Sequence, residues 1–424
     1  MRKKYPKFLY KGYSFKRKGG DLHISFDFRV PPDISFSPKV VIKGIPKKTA
    51  EIENLVFHLG LVEMLSYWKA TASPHIVVEA GVLNKEQIRW FEDLIFKGMG
   101  EYFYRNKIGF RKQGFLKISC AAKGPRLPRF RSRPSSSALV PVGGGKDAAV
   151  TLELLMKGNV RLRPFVLNLK KEQREIIKAA KAGEPVAAER EMDPRLLELN
   201  RKGYLNGHTP FSAYLAFLSV LCAALFGAKY VVLSNERSSN EGNVEYLGHM
   251  INHQYSKSFE FEKKFRRYLK KYLAPNVEYF SFLRPLWELQ IARLFAKYPK
   301  YFAAFLSCNE ARKTASGKKK ATGTWCGSCA KCLFVFLALY PFAGEKQTVA
   351  IFKKNLLDDA KLKPLFEELT GKKRFKPFEC VGTAQETRAA LALQAKKDHP
   401  LLHAWNRKHF LPRPFESILK RSLK

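Results

Sequence analysis

Acidic residues are the scarce class in this chain: 37 Asp and Glu face 77 Lys and Arg over 424 residues, a formal charge of +40. Such an excess points to polyanions, phosphorylated small molecules or both as partners, although a lineage with a generally basic proteome would carry the same charge on solvated faces. Cysteine is scarce too. Seven in the whole chain are too few for a disulfide scaffold, and three of them, Cys326, Cys329 and Cys332, fall in one short cluster, which indicates a reducing compartment with a metal or redox site. The basic N-terminal run (1–20) has no apolar stretch behind it, so no secretory signal is expected and the protein reads as cytoplasmic. The longest uncharged stretch, 209–228, has the length of a membrane span, but it contains Pro210, Ser212, Ser219 and Gly227 and leads into the strand-like residues 230–233. A helix buried against a sheet is expected there. With 46% hydrophobic and 27% charged residues and no internal repeat, disordered, collagen-like and coiled-coil classes fit poorly.

At the usual size of a domain, 424 residues suggest two or three of them. Residues 23–28 and 39–42 alternate polar and apolar around Pro31-Pro32, an antiparallel strand pattern. From Thr49 to about Asn106 the spacing is helical, with a strand-like interruption at 75–78. These features predict an α+β N-terminal domain over 1–122. The segment 123–137, KGPRLPRFRSRPSSS, reads as a linker or exposed basic loop. Beyond it strands at 138–142, 164–169 and 230–233 alternate with helices, the signature of a parallel sheet covered on both faces. That second domain, with the cysteine cluster, is placed at 138–341, and a mostly helical, basic region with a break at 376–382 occupies 342–424.

In the run Leu139 to Val150 a strand ends in Gly143-Gly144-Gly145 and a helix begins at once with Lys146-Asp147-Ala148. Glycines let backbone amides turn toward an anion, and a helix N-terminus adds positive potential, so a phosphate group is expected here. The Walker A pattern fails, because Val140 stands where its first glycine belongs and Asp147 follows Lys146. The dinucleotide pattern fails at Ala148. The loop resembles the PP-loop of the N-type ATP pyrophosphatases, S-G-G-x-D-S, at Gly144, Gly145 and Asp147, and departs from it at Gly143 and Ala148, where two hydroxyls are missing. A ligand-free tight turn is the competing reading.

Cys326, Cys329 and Cys332 form C-x-x-C-x-x-C, with Cys308 upstream as a fourth candidate ligand. Four thiolates suit tetrahedral zinc. An iron-sulfur cluster is the rival, although the C-x-x-x-C-P continuation is absent. A cluster of this kind after a PP-loop sheet is similar to the 7-cyano-7-deazaguanine synthase branch, and that resemblance implies a structural metal.

Seven further motifs are more specific: Asn206-Gly207-His208-Thr209-Pro210, Leu233-Ser234-Asn235-Glu236-Arg237-Ser238, Asn252-His253-Gln254-Tyr255-Ser256-Lys257-Ser258, Phe282-Leu283-Arg284-Pro285-Leu286, Trp325-Cys326-Gly327, Ser66-Tyr67-Trp68-Lys69-Ala70-Thr71 and Pro377-Phe378-Glu379-Cys380-Val381-Gly382. Together they resemble the MurL-type epimerase family over nearly the whole chain. The resemblance implies an ATP- and magnesium-dependent enzyme of peptidoglycan precursor synthesis. Such an enzyme inverts the terminal L-glutamate of UDP-N-acetylmuramoyl-L-alanyl-L-glutamate through an acyl-adenylate, releasing AMP and pyrophosphate. On that reading Gly143, Gly144, Gly145 and Lys146 bind phosphates, Asp147 helps hold magnesium, and Asn235 and Arg237 lie at the carboxyl edge of the sheet. Cys380, His253, Glu236 and His208 are the candidates for proton transfer, and Arg161, Arg163, Lys257 and Arg284 are examples of a basic surface for the UDP diphosphate and carboxylates. Two other readings stay open. One is a PP-loop enzyme that modifies tRNA or a nucleobase, and the other is a zinc-stapled protein that binds nucleic acid through its net charge.

Overall fold

Strand alternation in a computed structural model divides the apolar residues between two cores, one on each face of a single large sheet. The structure describes residues 1–47, 51–110, 113–131, 134–312, 323–373 and 375–424. The strands are β1 (Lys7–Lys18), β2 (Asp21–Val30), β3 (Ile34–Phe36), β4 (Lys39–Ile42), β5 (His75–Val78), β6 (Lys117–Cys120), β7 (Ser135–Pro141), β8 (Leu162–Leu167), β9 (Val186–Glu191), β10 (Ala228–Leu233), β11 (Val244–Tyr246), β12 (His249–Ile251) and β13 (Glu278–Ser281). All but β11 and β12 join one sheet of order β13-β10-β7-β8-β9-β4-β2-β1-β5-β6, with β3 paired to β2. Parallel pairings dominate: β13, β10, β7, β8 and β9 run parallel, as do β1, β5 and β6. The strands between these sets are antiparallel.

The expected strands and helices are present with small shifts at their ends. Thr49, where helical spacing was expected to begin, lies outside the described residues, and the helix there runs Glu53–Glu63. Residues 135–137 of the expected linker already belong to β7, while Ser132 and Arg133 lie outside the described residues. The sheet does not stop at this segment. Lys39 to Ile42 of β4 pair with Glu191 to Ala188 of β9, so N-terminal strands extend the parallel array.

Period-2 alternation sends Leu139, Val231 and Tyr279 to one face and Val140, Val232 and Phe280 to the other. The first face is covered by helices Glu53–Glu63, Lys85–Gly98 and Phe211–Phe226. The second is covered by Lys146–Lys157, Lys171–Ala180, Glu288–Ala296, Ala330–Ala343 and Ala384–Ala395. The uncharged stretch is the helix Phe211–Phe226, buried on nearly every side and stopped by Gly227 at φ +69°. Among the described residues no helix is long and apolar enough to cross a membrane. The region after 342 is helical, as expected, and its last helix, Arg413–Leu423, packs Phe415 on Tyr230 and Phe280.

Candidate active site

In the parallel array the chain moves from β7 outward to β8 and β9 on one side and to β10 and β13 on the other. The loops after β7 and β10 therefore diverge, and the crevice between them is where an open α/β sheet admits a ligand. A cavity of about 510 Å³ opens there. Gly143 and Gly145 of the first loop line it, with Asn235 and Glu236 of the second. The loop is built on its glycines. Gly144 sits at φ +84°, its carbonyl accepts from the Leu306 N–H at 2.8 Å, and a Cβ on Gly145 would press Ser307 at 3.3 Å. Gly143 faces open space. The helix Lys146–Lys157 starts immediately behind, so amides and helix dipole favour an anion in the cavity.

Asp147, Glu236 and Glu288 each bring an oxygen within 4.8 Å of the others, a spacing that can hold a divalent cation. The Lys146 ammonium is buried against two of them, Asp147 and Glu288, and does not line the cavity. Burial raises the Glu236 carboxyl, and the charges of Glu288 and Asp147 add to this, to about 7. Burial acts on Glu288 in the same sense, but Lys146 and Lys331 hold it down at about 2.

Cys380 reaches the cavity from the loop before helix Ala384–Ala395. The Lys257 ammonium, which also faces the cavity, donates to its sulfur at 3.1 Å, and a side-chain hydrogen bond joins it to His253. Burial opposes ionisation of this thiol, yet Lys257, His253 and Lys331 bring it down to about 5. His253 is the counterpart. Burial disfavours its charge, but Cys380 and Glu101 raise it to about 9. Its Nδ1 donates to Glu101 at 2.5 Å, and Glu101 lies buried in the short helix Gly100–Arg105. A carboxylate, an imidazolium and a thiolate thus stand in line, with Cys380 at the cavity end. His208 lies beside them, its ring 4.3 Å from that of His253 and its Nδ1 3.9 Å from Glu101. Burial and the His253 charge keep His208 neutral, down at about 3, and its Nε2 is buried with no partner among the described residues.

The four cluster cysteines converge. Sulfur contacts are 3.9 Å for Cys308 and Cys329, 3.7 Å for Cys326 and Cys332, and 3.6 Å for Cys329 and Cys332. Four thiolates around zinc at ~2.3 Å in a tetrahedron would stand ~3.8 Å apart, so the spacing of the set fits one such ion. The Ser328 N–H and hydroxyl both donate to Cys326 at 3.4 Å. Lys331, between two of the cysteines, is buried. Its ammonium donates to the Cys380 carbonyl and lies 3.7 Å from Glu288, while its N–H donates to Glu379 at 2.9 Å.

Of the residues singled out in the sequence, Gly143, Gly145, Asp147, Asn235, Glu236 and Cys380 line one cavity. His253 and His208 stand behind Cys380. Arg237 turns away and stacks on Trp287 at 4.1 Å. Two expectations about the basic surface need correction. Arg284 is fully buried, held by Glu262 at 3.0 Å and by backbone carbonyls of Glu236 and Lys257. Lys257 belongs to the cavity. Arg161 and Arg163 are exposed, but at the amino end of β8, away from the crevice. Glu101, Glu288 and Lys331 were not singled out. Lys331 alone had a local signal, its place between Cys329 and Cys332.

Residues 1–282 match the family model described as the MurL N-terminal domain, and residues 304–413 match the MurL C-terminal domain. The chain belongs to the MurL family. It is similar to the UDP-N-acetyl-alpha-D-muramoyl-L-alanyl-L-glutamate epimerase of Xanthomonas oryzae pv. oryzae (strain MAFF 311018), with 38% identity over 84% of this chain and 79% of the relative. The protein of the same name from Salinispora tropica is 33% identical over 94% of this chain and 87% of its own length. That from Micromonospora sp. (strain ATCC 39149) is 35% identical over 92% and 87%. No solved structure matches the chain. Both MurL matches contribute to the cavity, since Glu236 and Lys257 lie in the first and Lys331 and Cys380 in the second.

Proposed function

We propose that this MurL-family chain epimerises the terminal glutamate of UDP-N-acetylmuramoyl-L-alanyl-L-glutamate, the compound in its relatives' names, at the expense of ATP. The observation that supports this most is that a glycine loop suited to phosphate and a cation-held thiol open on one cavity. Such chemistry needs both. A peptide-bound glutamate has an acylated nitrogen and cannot form a Schiff base, and its ionised α-carboxylate would turn the carbanion into a dianion. Transfer of AMP to that carboxylate removes the charge and releases pyrophosphate, which the β7 glycine loop, read as a PP-loop, is placed to receive. Asp147 would hold magnesium beside the phosphate oxygens.

The Cys380 thiolate then removes the α-hydrogen, while the Lys257 and Lys331 ammonium groups favour negative charge on the enolate oxygen. Glu236, whose carboxyl also faces the cavity, returns a proton to the opposite face. Water attacks the acyl-adenylate, and the products are AMP and the D-glutamyl compound. Lys146 neutralises Asp147 and Glu288 in this scheme. The cysteine tetrad takes a structural zinc ion, which ties Lys331 and the segment before Cys308 to the cavity.

The test is incubation with the UDP-muramoyl dipeptide, ATP and magnesium in heavy water, following glutamate chirality, deuterium at the α-carbon and AMP together. D-glutamate carrying deuterium, with AMP formed, is expected. AMP without inversion would move the reading to another acceptor, and silence in all three readouts would overturn it.

A further inference from the structure

The glycine loop lacks the two hydroxyls of the S-G-G-x-D-S pattern, because Gly143 and Ala148 stand at their positions. Two serines line the same cavity. Ser234 follows the last residue of β10, and Ser307 lies against the loop from outside, its Oγ 4.0 Å from where a Cβ on Gly145 would sit. Both Oγ atoms are closed off from solvent and have no hydrogen-bond partner among the described residues. A hydroxyl buried in that state is costly and is normally completed by a partner, so two among the residues that line one cavity point to a ligand that accepts from them.

Their supports are independent of each other. The Leu306 N–H bond to Gly144 and the neighbouring Cys308 hold Ser307 at the loop, and the extended chain leaving β10 holds Ser234 across the crevice. The ligand such a pair suits is rich in acceptors and sits over the glycine amides, which describes a pyrophosphate group.

We infer that Ser234 and Ser307 supply, from two other segments, the hydroxyl contacts to the pyrophosphate group that the loop itself lacks. The inference rests on the ATP-using reading above. It also bears on Gly145, since a Cβ there would sit 3.3 Å from the Ser307 Cβ and shift that serine by a few tenths of an ångström.

The experiment is calorimetric titration of the full chain with inorganic pyrophosphate and magnesium, with melting curves alongside. Ser307→Ala and Ser234→Ala are each expected to weaken binding roughly 10-fold without lowering the melting temperature. Gly143→Ser, for which the loop has room, is expected to restore most of the affinity lost in Ser307→Ala, because it returns a hydroxyl to the pattern's own position. Unchanged affinity in the double alanine variant overturns the inference and leaves the ATP reading standing. Weakening that tracks a lowered melting temperature and is not relieved by Gly143→Ser also overturns it, making the serines packing residues. If the unaltered chain binds neither pyrophosphate nor ATP, the ATP reading fails and this inference with it.

Discussion

Cys380 and the tetrad of Cys308, Cys326, Cys329 and Cys332 lie close enough for Lys331 to touch both regions, yet they hold sulfur by opposite means. In the tetrad the sulfurs meet one another at 3.6 to 3.9 Å, a spacing that suits one shared metal ion. Cys380 meets an ammonium and an imidazole instead. A thiolate held by a metal loses its lone pair to the bond, whereas one held by protonated side chains keeps it and can take a proton. Reactivity follows from the surrounding charge, and the number of cysteines in a motif says little about it.

The largest effect is expected from removing the isolated sulfur. Cys380→Ser should lower epimerisation by about 10³-fold or more while AMP release from the carboxylate survives, and full inversion by this variant would end the assignment of Cys380 as base. Asp147→Asn separates the steps from the other side, with AMP release and inversion falling together. Stripping the tetrad with a chelator should lower the melting temperature by roughly 10 °C and weaken both steps, because residues 306–307 and Lys331 lose a common anchor. A melting curve that ignores the chelator would make the tetrad ordinary buried thiols.

Next in size is the carboxylate behind the histidine. Glu101→Gln keeps the shape but withdraws the charge that favours the His253 imidazolium, and kcat is expected to fall on the order of 10-fold with KM little changed. A KM change alone would show that Glu101 only packs.

What could be read from the amino acids was local. The glycine loop and the cysteine run advertise themselves because their partners are a few residues away, strand alternation at 23–28 shows directly as a two-residue period, and 138–142 shows as a short apolar run. Glu101 does not, because 152 residues separate it from His253 and nothing in its own helix marks it. Lys146 misleads for a related reason. Its place after three glycines suggests phosphate, but the first turn of the helix points it at Glu288, 142 residues away. The pairing of β4 with β9, which joins the N-terminal strands to the parallel array, is equally invisible to local pattern.

The pH dependence of alkylation sharpens the contrast further. The Cys380 thiol lies low, at about 5, so its thiolate is present above that pH and is lost as pH falls through it. Iodoacetamide labelling, mapped to this residue by mass spectrometry, is expected to be half-maximal near pH 5. His253→Gln removes one of the cations and should carry the midpoint toward the ordinary thiol range, slowing labelling at pH 6 by roughly 10-fold. A midpoint in that ordinary range for the unaltered chain would show that the sulfur is a neutral thiol.

The smallest effect is expected at His208. Its ring is neutral at any pH above about 3 and shares Glu101 with His253, but its Nε2 touches no partner among the described residues. A neutral ring in that position can shape the pocket around His253 without moving a proton, so His208→Gln should leave kcat within about threefold of the original. A fall as large as that of Cys380→Ser, with solvent deuterium no longer entering the product, would instead make His208 the path by which Cys380 exchanges its proton with water, and the line from Glu101 to the cavity would then branch at this ring.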